Sequence, residues 1–305
     1  MHTLLEDKYI NFFTDYGFKR LFGEERNKDL LIDFLNNLLD KKETIVTLNF
    51  KNTEKTTSTK LDRKAIFDLY CENDKGEKFI IELQKAKQNY FKDRSLFYST
   101  FPIQEQAKRG DWNFELKAVY TIGILDFCFD DSDKNKTVVS EVKLFDSHTK
   151  KVFYDKLTFI YLQMPNFTKK ENELETYLDK WLFAIKNLHT LNDKPRVLNG
   201  IFEKFFEEAK ISNYSQKEIH NYENSLKYYR DLKNSFDTVL HEGLMAGRIE
   251  GRIEGRIEAE EKLKPIIEEQ NQAIIESAKL MKKAGISTEN IQKATNLLKE
   301  DIEKL

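Results

Sequence analysis

Apolar positions recur at helical spacing through Phe18, Leu21, Phe22, Leu30, Leu31, Phe34, Leu35, Leu38 and Leu39. That spacing predicts a helical opening over 18–40, with Asn27 placed to cap a second segment and Asp29 in its first turn. Residues 41–62 turn polar and rich in Thr and Lys, and read as a strand with an exposed connection. The period then changes. Ile66, Phe67 and Leu69, then Phe79, Ile80, Ile81 and Leu83, form two short apolar runs flanking Asn73-Asp74-Lys75-Gly76, the signature of a hairpin over 65–84. A helix is predicted over about 88–109, ending near Gly110, and a buried strand over 114–127. A second hairpin, 138–146 with 152–162, turns around Ser147–Lys150. From about 171 onward the chain reads as helical, with Leu174, Leu178, Trp181, Leu182, Ile185 and Leu188 in one stripe. Helix, mixed sheet and helix again make an α/β pattern.

The 65–84 hairpin carries the candidate chemistry. Asp68 is placed on its first strand, and Glu82 and Gln84 lie two apart on its second, so both point to one face. Symmetric pairing about the turn brings Asp68 beside Glu82. The apolar runs around them belong in a sheet covered on both faces. Carboxylates are costly there unless paired, protonated or bound to metal. Two hard carboxylates with an amide on one face suit a divalent cation and a phosphodiester. The plainer alternative is a hairpin with a charged solvent face, and D-x(13)-E-x-Q spacing alone has little specificity.

The C-terminal part has a pattern of its own. Gly243, Gly247, Gly251 and Gly255 recur every fourth residue through a Gly-Arg-Ile-Glu repeat. On a helix, a period of four against 3.6 residues per turn draws each residue type into a slowly drifting stripe. The glycine stripe permits close approach of a second helix, and Ile249, Ile253 and Ile257 offer it apolar contact. Each interior glycine costs about 1 kcal/mol relative to alanine, so the helix needs a partner, or the segment is a flexible linker. Residues 278–305 read as a helix, a stop at Gly285, a cap at Ser287 or Thr288, and a final acid-rich helix over 289–305. A docking unit fits that acidity better than a DNA reader.

Composition narrows the classes. The 305 residues, 40% hydrophobic and 12% aromatic, hold one large core plus an appendage or two modest domains. A net charge of −2 excludes a globally basic nucleic-acid binder. A local basic strip can suffice, because affinity follows the phosphates contacted. Lys85, Lys87, Lys92, Arg94, Lys108 and Arg109, interleaved with Tyr90, Phe91 and Tyr98, form a candidate; an ordinary lysine-rich helix face is the alternative. Cys71 and Cys128 lack zinc or disulfide spacing, the five histidines are scattered, and no phosphate-binding glycine loop occurs. No apolar run approaches about 20 residues, so a soluble cytoplasmic protein is expected.

Phe13–Gly23, Leu30–Leu39, Asp68 with Glu82-Leu83-Gln84, Tyr90–Tyr98, Lys117–Leu125, Leu157–Pro165 and Leu178–Leu182 together resemble the Rpn-type, transposase-like members of the PD-(D/E)XK nuclease superfamily. The resemblance spans most of residues 10–240. It implies a restriction-endonuclease-like core, a mixed sheet flanked by helices, that cuts DNA with Mg²⁺ (Mn²⁺ or Ca²⁺ as alternatives). By position, Asp68 and Glu82 become metal ligands and Gln84 the third catalytic residue. Gln84 stands where the superfamily more often has lysine; Lys64, Lys85 and Lys87 are candidates for the missing charge, with Lys85 expected on the opposite strand face. Asp15 is a candidate extra ligand, or simply a helix N-terminal acid favoured by the macrodipole. Lys85, Lys87, Lys92 and Arg94 are the expected DNA contacts. The expected organisation is a nuclease-like domain over 1–240, the repeat as helix or linker over 241–262, and a small helical segment over 263–305. The implied role is DNA breakage that promotes recombination or limits foreign DNA. Low specificity is expected because no dedicated base-reading helix is visible, and the repeat favours homo-oligomerisation through the tail. The alternative is a non-catalytic DNA-binding or assembly protein on the same fold.

Overall fold

The computed structural model describes residues 7–39, 44–55, 65–108, 110–129 and 136–305. Lys64 and Arg109 lie outside the described residues. The chain divides into two units, 1–236 and 237–305.

In the first unit, α1 (Asp15–Phe22) starts where the Thr14 hydroxyl accepts from the Gly17 N–H at 2.9 Å. Gly17 is required there, since a Cβ would stand 2.2 Å from the Asn11 carbonyl oxygen. This cap fixes Asp15 in the first turn. Asn27 does precede α2 (Lys28–Leu38), but its side chain does not cap the helix. Its amide instead donates to the Arg20 carbonyl (2.8 Å) and to Glu208 Oε2 (3.3 Å), tying neighbouring elements together.

The strands follow: β1 (Leu48–Phe50), β2 (Glu54–Lys55), β3 (Ala65–Ile66), β4 (Leu69–Asn73) and β5 (Lys78–Gln84). After α3 (Phe91–Gln104) come β6 (Val119–Leu125), β7 (Val139–Asp146) and β8 (Lys151–Gln163). Six form one sheet in the order β1-β4-β5-β6-β8-β7, while β2 and β3 pair separately. β5, β6 and β8 run parallel, and the outer pairs are antiparallel. Both expected hairpins are present. The first is interrupted: β3 and β4 are separate strands, with Asp68 at the bend between them rather than on a strand.

One face of the sheet, through Cys71, Phe79, Ile81, Leu83, Ile122 and Ile160, joins the main core. That core also takes in Trp181 of α4 (Tyr177–Asn187) and Phe202 and Phe205 of α5 (Ile201–Ala209). Tyr222 and Leu226, from the first turns of α6 (Gln216–Lys283), complete it. The other face meets α3 through Phe67, Tyr70, Ile80 and Phe101. α3 starts later than the predicted 88 because Tyr90 adopts a left-handed conformation (φ 63°) just before it, and it ends at Gln104, short of 109. The chain beyond 171 is not continuously helical; Glu171–Glu173, Leu188–Thr190 and Ile211–Asn213 are single 3₁₀ turns between the α-helices.

In the second unit, α6 carries the repeat as helix, and a Cβ added at Gly243, Gly247, Gly251 or Gly255 would meet nothing within 4 Å. Ile249, Ile253 and Ile257 are exposed. Gly285 (φ 77°) lies just past the helix end. Ser287 occupies the next cap position without a side-chain bond. The predicted single final helix is two, α7 (Thr288–Thr295) and α8 (Lys299–Lys304), broken where Asn296 turns left-handed (φ 61°). Ala278, Ile291 and Ile302 make a small core of their own. Among the described residues, no helix is long and apolar enough to cross a membrane.

Candidate active site

The β4–β5 ladder runs from Glu72↔Lys78 to Leu69↔Ile81 and ends there. One step further, side chains replace the backbone acceptors. The Asp68 N–H donates to Glu82 Oε1 (3.2 Å), and the Leu83 N–H donates to Asp68 Oδ2 (2.8 Å). Each carboxylate therefore has one oxygen fixed by the neighbouring strand's backbone, and each other oxygen has no hydrogen-bond partner among the described residues. The sequence-predicted pair comes together, and the break at Asp68 is what makes it possible.

Strand alternation places Glu82 and Gln84 with Ile80 on the α3 face. Glu82 is 8% exposed. Gly123 is its register partner on β6, and a side chain there would press on Tyr161 at 3.1 Å. Burial first, then the Asp68 charge, pushes the Glu82 carboxyl up to about 8, while Arg94 pulls the other way. Burial also raises Asp68, opposed by the Leu83 N–H and by Lys19 and Lys85, and reinforced by Asp15. Two buried carboxyls that resist ionising together mark a place where positive charge is wanted.

Gln84 does not stand alone. Its Oε1 accepts from Arg94 Nη2, and its Nε2 donates to the Ala86 carbonyl at 3.3 Å. Arg94 Nη1 donates to Gln88 Oε1. Arg94 belongs to the site itself, where sequence reading placed it only among DNA contacts. Its ten-residue offset from Gln84 crosses a loop and a helix start, which no strand period projects.

Lys85 follows the end of β5 and takes the expected opposite face. Its ammonium stands 5.4 Å from the Tyr228 ring, and its charged neighbours are Asp15, Asp68 and Lys19. Asp15 pairs with Lys19 at 2.9 Å. A cleft of about 470 Å³ opens here, lined by Asp15, Tyr16, Lys19, Arg20, Asp68 and Ser225 among others. Among the described residues, no three His, Cys, Asp or Glu side chains gather as a metal group; Asp15 does not join the pair. The basic strip is likewise divided. Phe91 is core at 5% exposed while Tyr90 is 80% exposed, Lys92 stands 4.8 Å over the Phe129 ring, and Lys87 is half-buried beside Gln88 and Tyr90.

A model of the family described as PD-(D/E)XK nuclease family transposase matches residues 12–239. The chain belongs to this family. The match takes in α1, the whole sheet, and α6 up to the start of the glycine repeat. No curated protein and no solved structure matches the chain. As a family member it carries a nuclease-like domain, and PD-(D/E)XK nucleases typically use divalent metals. The donor set fits such an ion. Mg²⁺ usually takes one or two carboxylates and fills its remaining positions with water and substrate phosphate. Asp68 Oδ1 and Glu82 Oε2 are two hard oxygens of that kind.

Proposed function

We propose that this PD-(D/E)XK transposase-family chain is a metal-dependent DNA endonuclease of low sequence specificity. The carboxylate pair that ends the β4–β5 ladder carries the proposal. Asp68 Oδ1 and Glu82 Oε2 would hold Mg²⁺, or Mn²⁺ or Ca²⁺ in its place. Such an ion, when bound, polarises a phosphodiester and makes a bound water more acidic. The two backbone N–H donors keep both carboxylates oriented without occupying the oxygens that matter. Gln84, its carbonyl oxygen engaged by Arg94, offers its remaining amide N–H to a phosphate oxygen. Lys85 and Lys19 keep Asp15 and Asp68 electrostatically compatible, so Asp15 supports the site rather than binding the ion. Lys87 and Lys92 flank the α3 start, where the DNA backbone would pass. The role proposed for such cutting is to promote recombination or limit foreign DNA.

Supercoiled plasmid incubated with Mg²⁺, Mn²⁺, Ca²⁺ or EDTA tests this, using wild type and Glu82→Ala. Metal-dependent nicking, absent in the variant, is the expected result; equal nicking by both, or none under any ion, overturns it. RNA digested alongside decides the polymer.

We further propose that the tail makes the protein homo-oligomeric. The exposed Ile249, Ile253 and Ile257 and the open glycine positions support this. Within the repeat, Arg and Glu fall two apart, a poor spacing for pairing along one helix. The last unit pairs instead with residues beyond it, Arg256 with Glu260 at 2.8 Å and Glu258 with Lys262 at 2.6 Å. The charges proposed for another chain are therefore those of Arg248, Glu250, Arg252 and Glu254. Light scattering should give a lower mass order after deletion of residues 243–305, and an unchanged order of assembly would sink the idea.

A further inference from the structure

We infer that Arg94 is the phosphate-contacting cation of the site, a role that the β5 strand itself leaves unfilled. The inference rests on the nuclease reading above and assigns the charge within it. Two carboxylates beside an anionic phosphodiester need positive charge beyond one divalent ion, and position 84 supplies only a neutral amide.

The local cations differ in what already holds them. Lys19 is paired with Asp15 at 2.9 Å. Lys85 faces Asp15 and Asp68 from the α1 side, over Tyr228. Arg94 is on the Glu82 and Gln84 side. Both of its terminal nitrogens donate to neutral amide oxygens, of Gln84 and Gln88, and no carboxylate pairs with it among the described residues. Its guanidinium carbon is 5.4 Å from the Phe91 ring centre and 5.7 Å from that of Tyr98. Aromatic faces and amides fix a guanidinium in place without neutralising it. The result is an oriented, half-buried positive charge beside Glu82. A planar fork of N–H donors is suited to phosphate oxygens.

The test is DNA binding by full-length protein, read by the anisotropy of a fluorescein-labelled duplex in EDTA across a salt series. Arg94→Ala should reduce the slope of log K against log salt by about 0.9, the value of one phosphate contact. Gln84→Lys placed in that background should restore the slope, because it returns a cation to the same face. Nicking with Mg²⁺ should fall by about 100-fold in Arg94→Ala and recover in part in the double variant. Arg94→Gln, which keeps length and hydrogen bonding, replaces the alanine variant if that one fails to fold. An unchanged salt slope overturns the inference, whatever happens to cleavage. A reduced slope in a protein whose wild type never nicks DNA upholds Arg94 as the phosphate contact and overturns the nuclease reading instead.

Discussion

Two clusters of charge reach one cleft, the first through Arg20 and Glu24 and the second through Asp68, and they are built on opposite principles. Around Arg20, one guanidinium meets Glu24 at 3.1 Å, Glu218 at 3.0 Å and Glu208 at 3.5 Å, and rests 4.8 Å from the Tyr214 ring centre. Both of its terminal nitrogens are answered by carboxylates, while its buried Nε has no hydrogen-bond partner among the described residues. Around Asp68 and Glu82, two carboxyls face each other with one oxygen apiece unanswered, and both are pushed toward the protonated form. Paired charge holds elements together; unpaired like charge costs stability unless something else binds. The first cluster is architecture, and the second is the one we propose binds a cation.

The largest expected effect separates the two by sign. Glu82→Gln and Asp68→Asn should lower plasmid nicking by about 100-fold or more while raising the melting temperature of the metal-free protein, since each replaces a carboxyl that burial and its neighbour make costly to ionise with a neutral amide. Loss of activity together with a lower melting temperature would place this pair with the Arg20 cluster. Arg20→Ala should do the reverse of a site mutation. It takes the cation from Glu218 and leaves Glu24 and Glu208 with Arg26 alone, so urea unfolding should report a loss of stability where the site variants show a gain.

Solution pH sharpens the contrast next. The unfolded chain releases the Glu82 proton near the ordinary value of 4.5, whereas the folded protein retains it to about 8. Between those values the native state binds more protons, so metal-free stability should fall as pH rises, by up to roughly 1.4 kcal/mol per pH unit. Glu82→Gln should flatten the profile. Mg²⁺ added at pH 8 should raise the melting temperature of wild type and not of the variant, because only the intact pair gains from a cation. A flat wild-type profile would mean that the pair is already neutralised from within.

Much of this site could be read from the sequence because strand alternation is a strict rule. Glu82 and Gln84 on one face, with Asp68 opposite Glu82, follow from period two and the Asn73–Gly76 turn. The bend at Asp68 does not follow. It arises because the Asp68 and Leu83 N–H groups find carboxylate acceptors instead of backbone ones, a tertiary choice that no apolar pattern encodes. Arg94 was visible as a charge but not as a member of the site, since its position depends on where the left-handed Tyr90 starts α3. The same limit applies to the helix ends. Asn27 and Ser287 were read at the right cap positions, yet neither side chain caps, because Asn27 is drawn to the Arg20 carbonyl and Ser287 offers only its backbone oxygen.

The smallest expected effect comes from a third carboxylate that falls between the two clusters. Asp126 follows β6, and its N–H donates to the Gln84 carbonyl at 2.9 Å. Its Oδ2 accepts from the Tyr229 hydroxyl at 2.7 Å. Burial raises its carboxyl, and the tyrosine bond, with Lys233, Lys186 and His189, holds the rise in check. It therefore has one good neutral donor, fewer partners than the Arg20 cluster and more than Glu82 Oε2. Tyr229→Phe removes that donor and keeps the ring, at a cost of about 1 kcal/mol. The cost must depend on pH. The lost bond favoured the ionised carboxylate, so its removal raises the folded-state value further and penalises only the charged form. Urea unfolding should show the full loss at pH 8 and a smaller one as the medium becomes acidic enough to protonate Asp126. Equal losses at both ends would mean that the hydroxyl acts through packing against β6, and that Asp126 belongs with the paired charges of the Arg20 cluster.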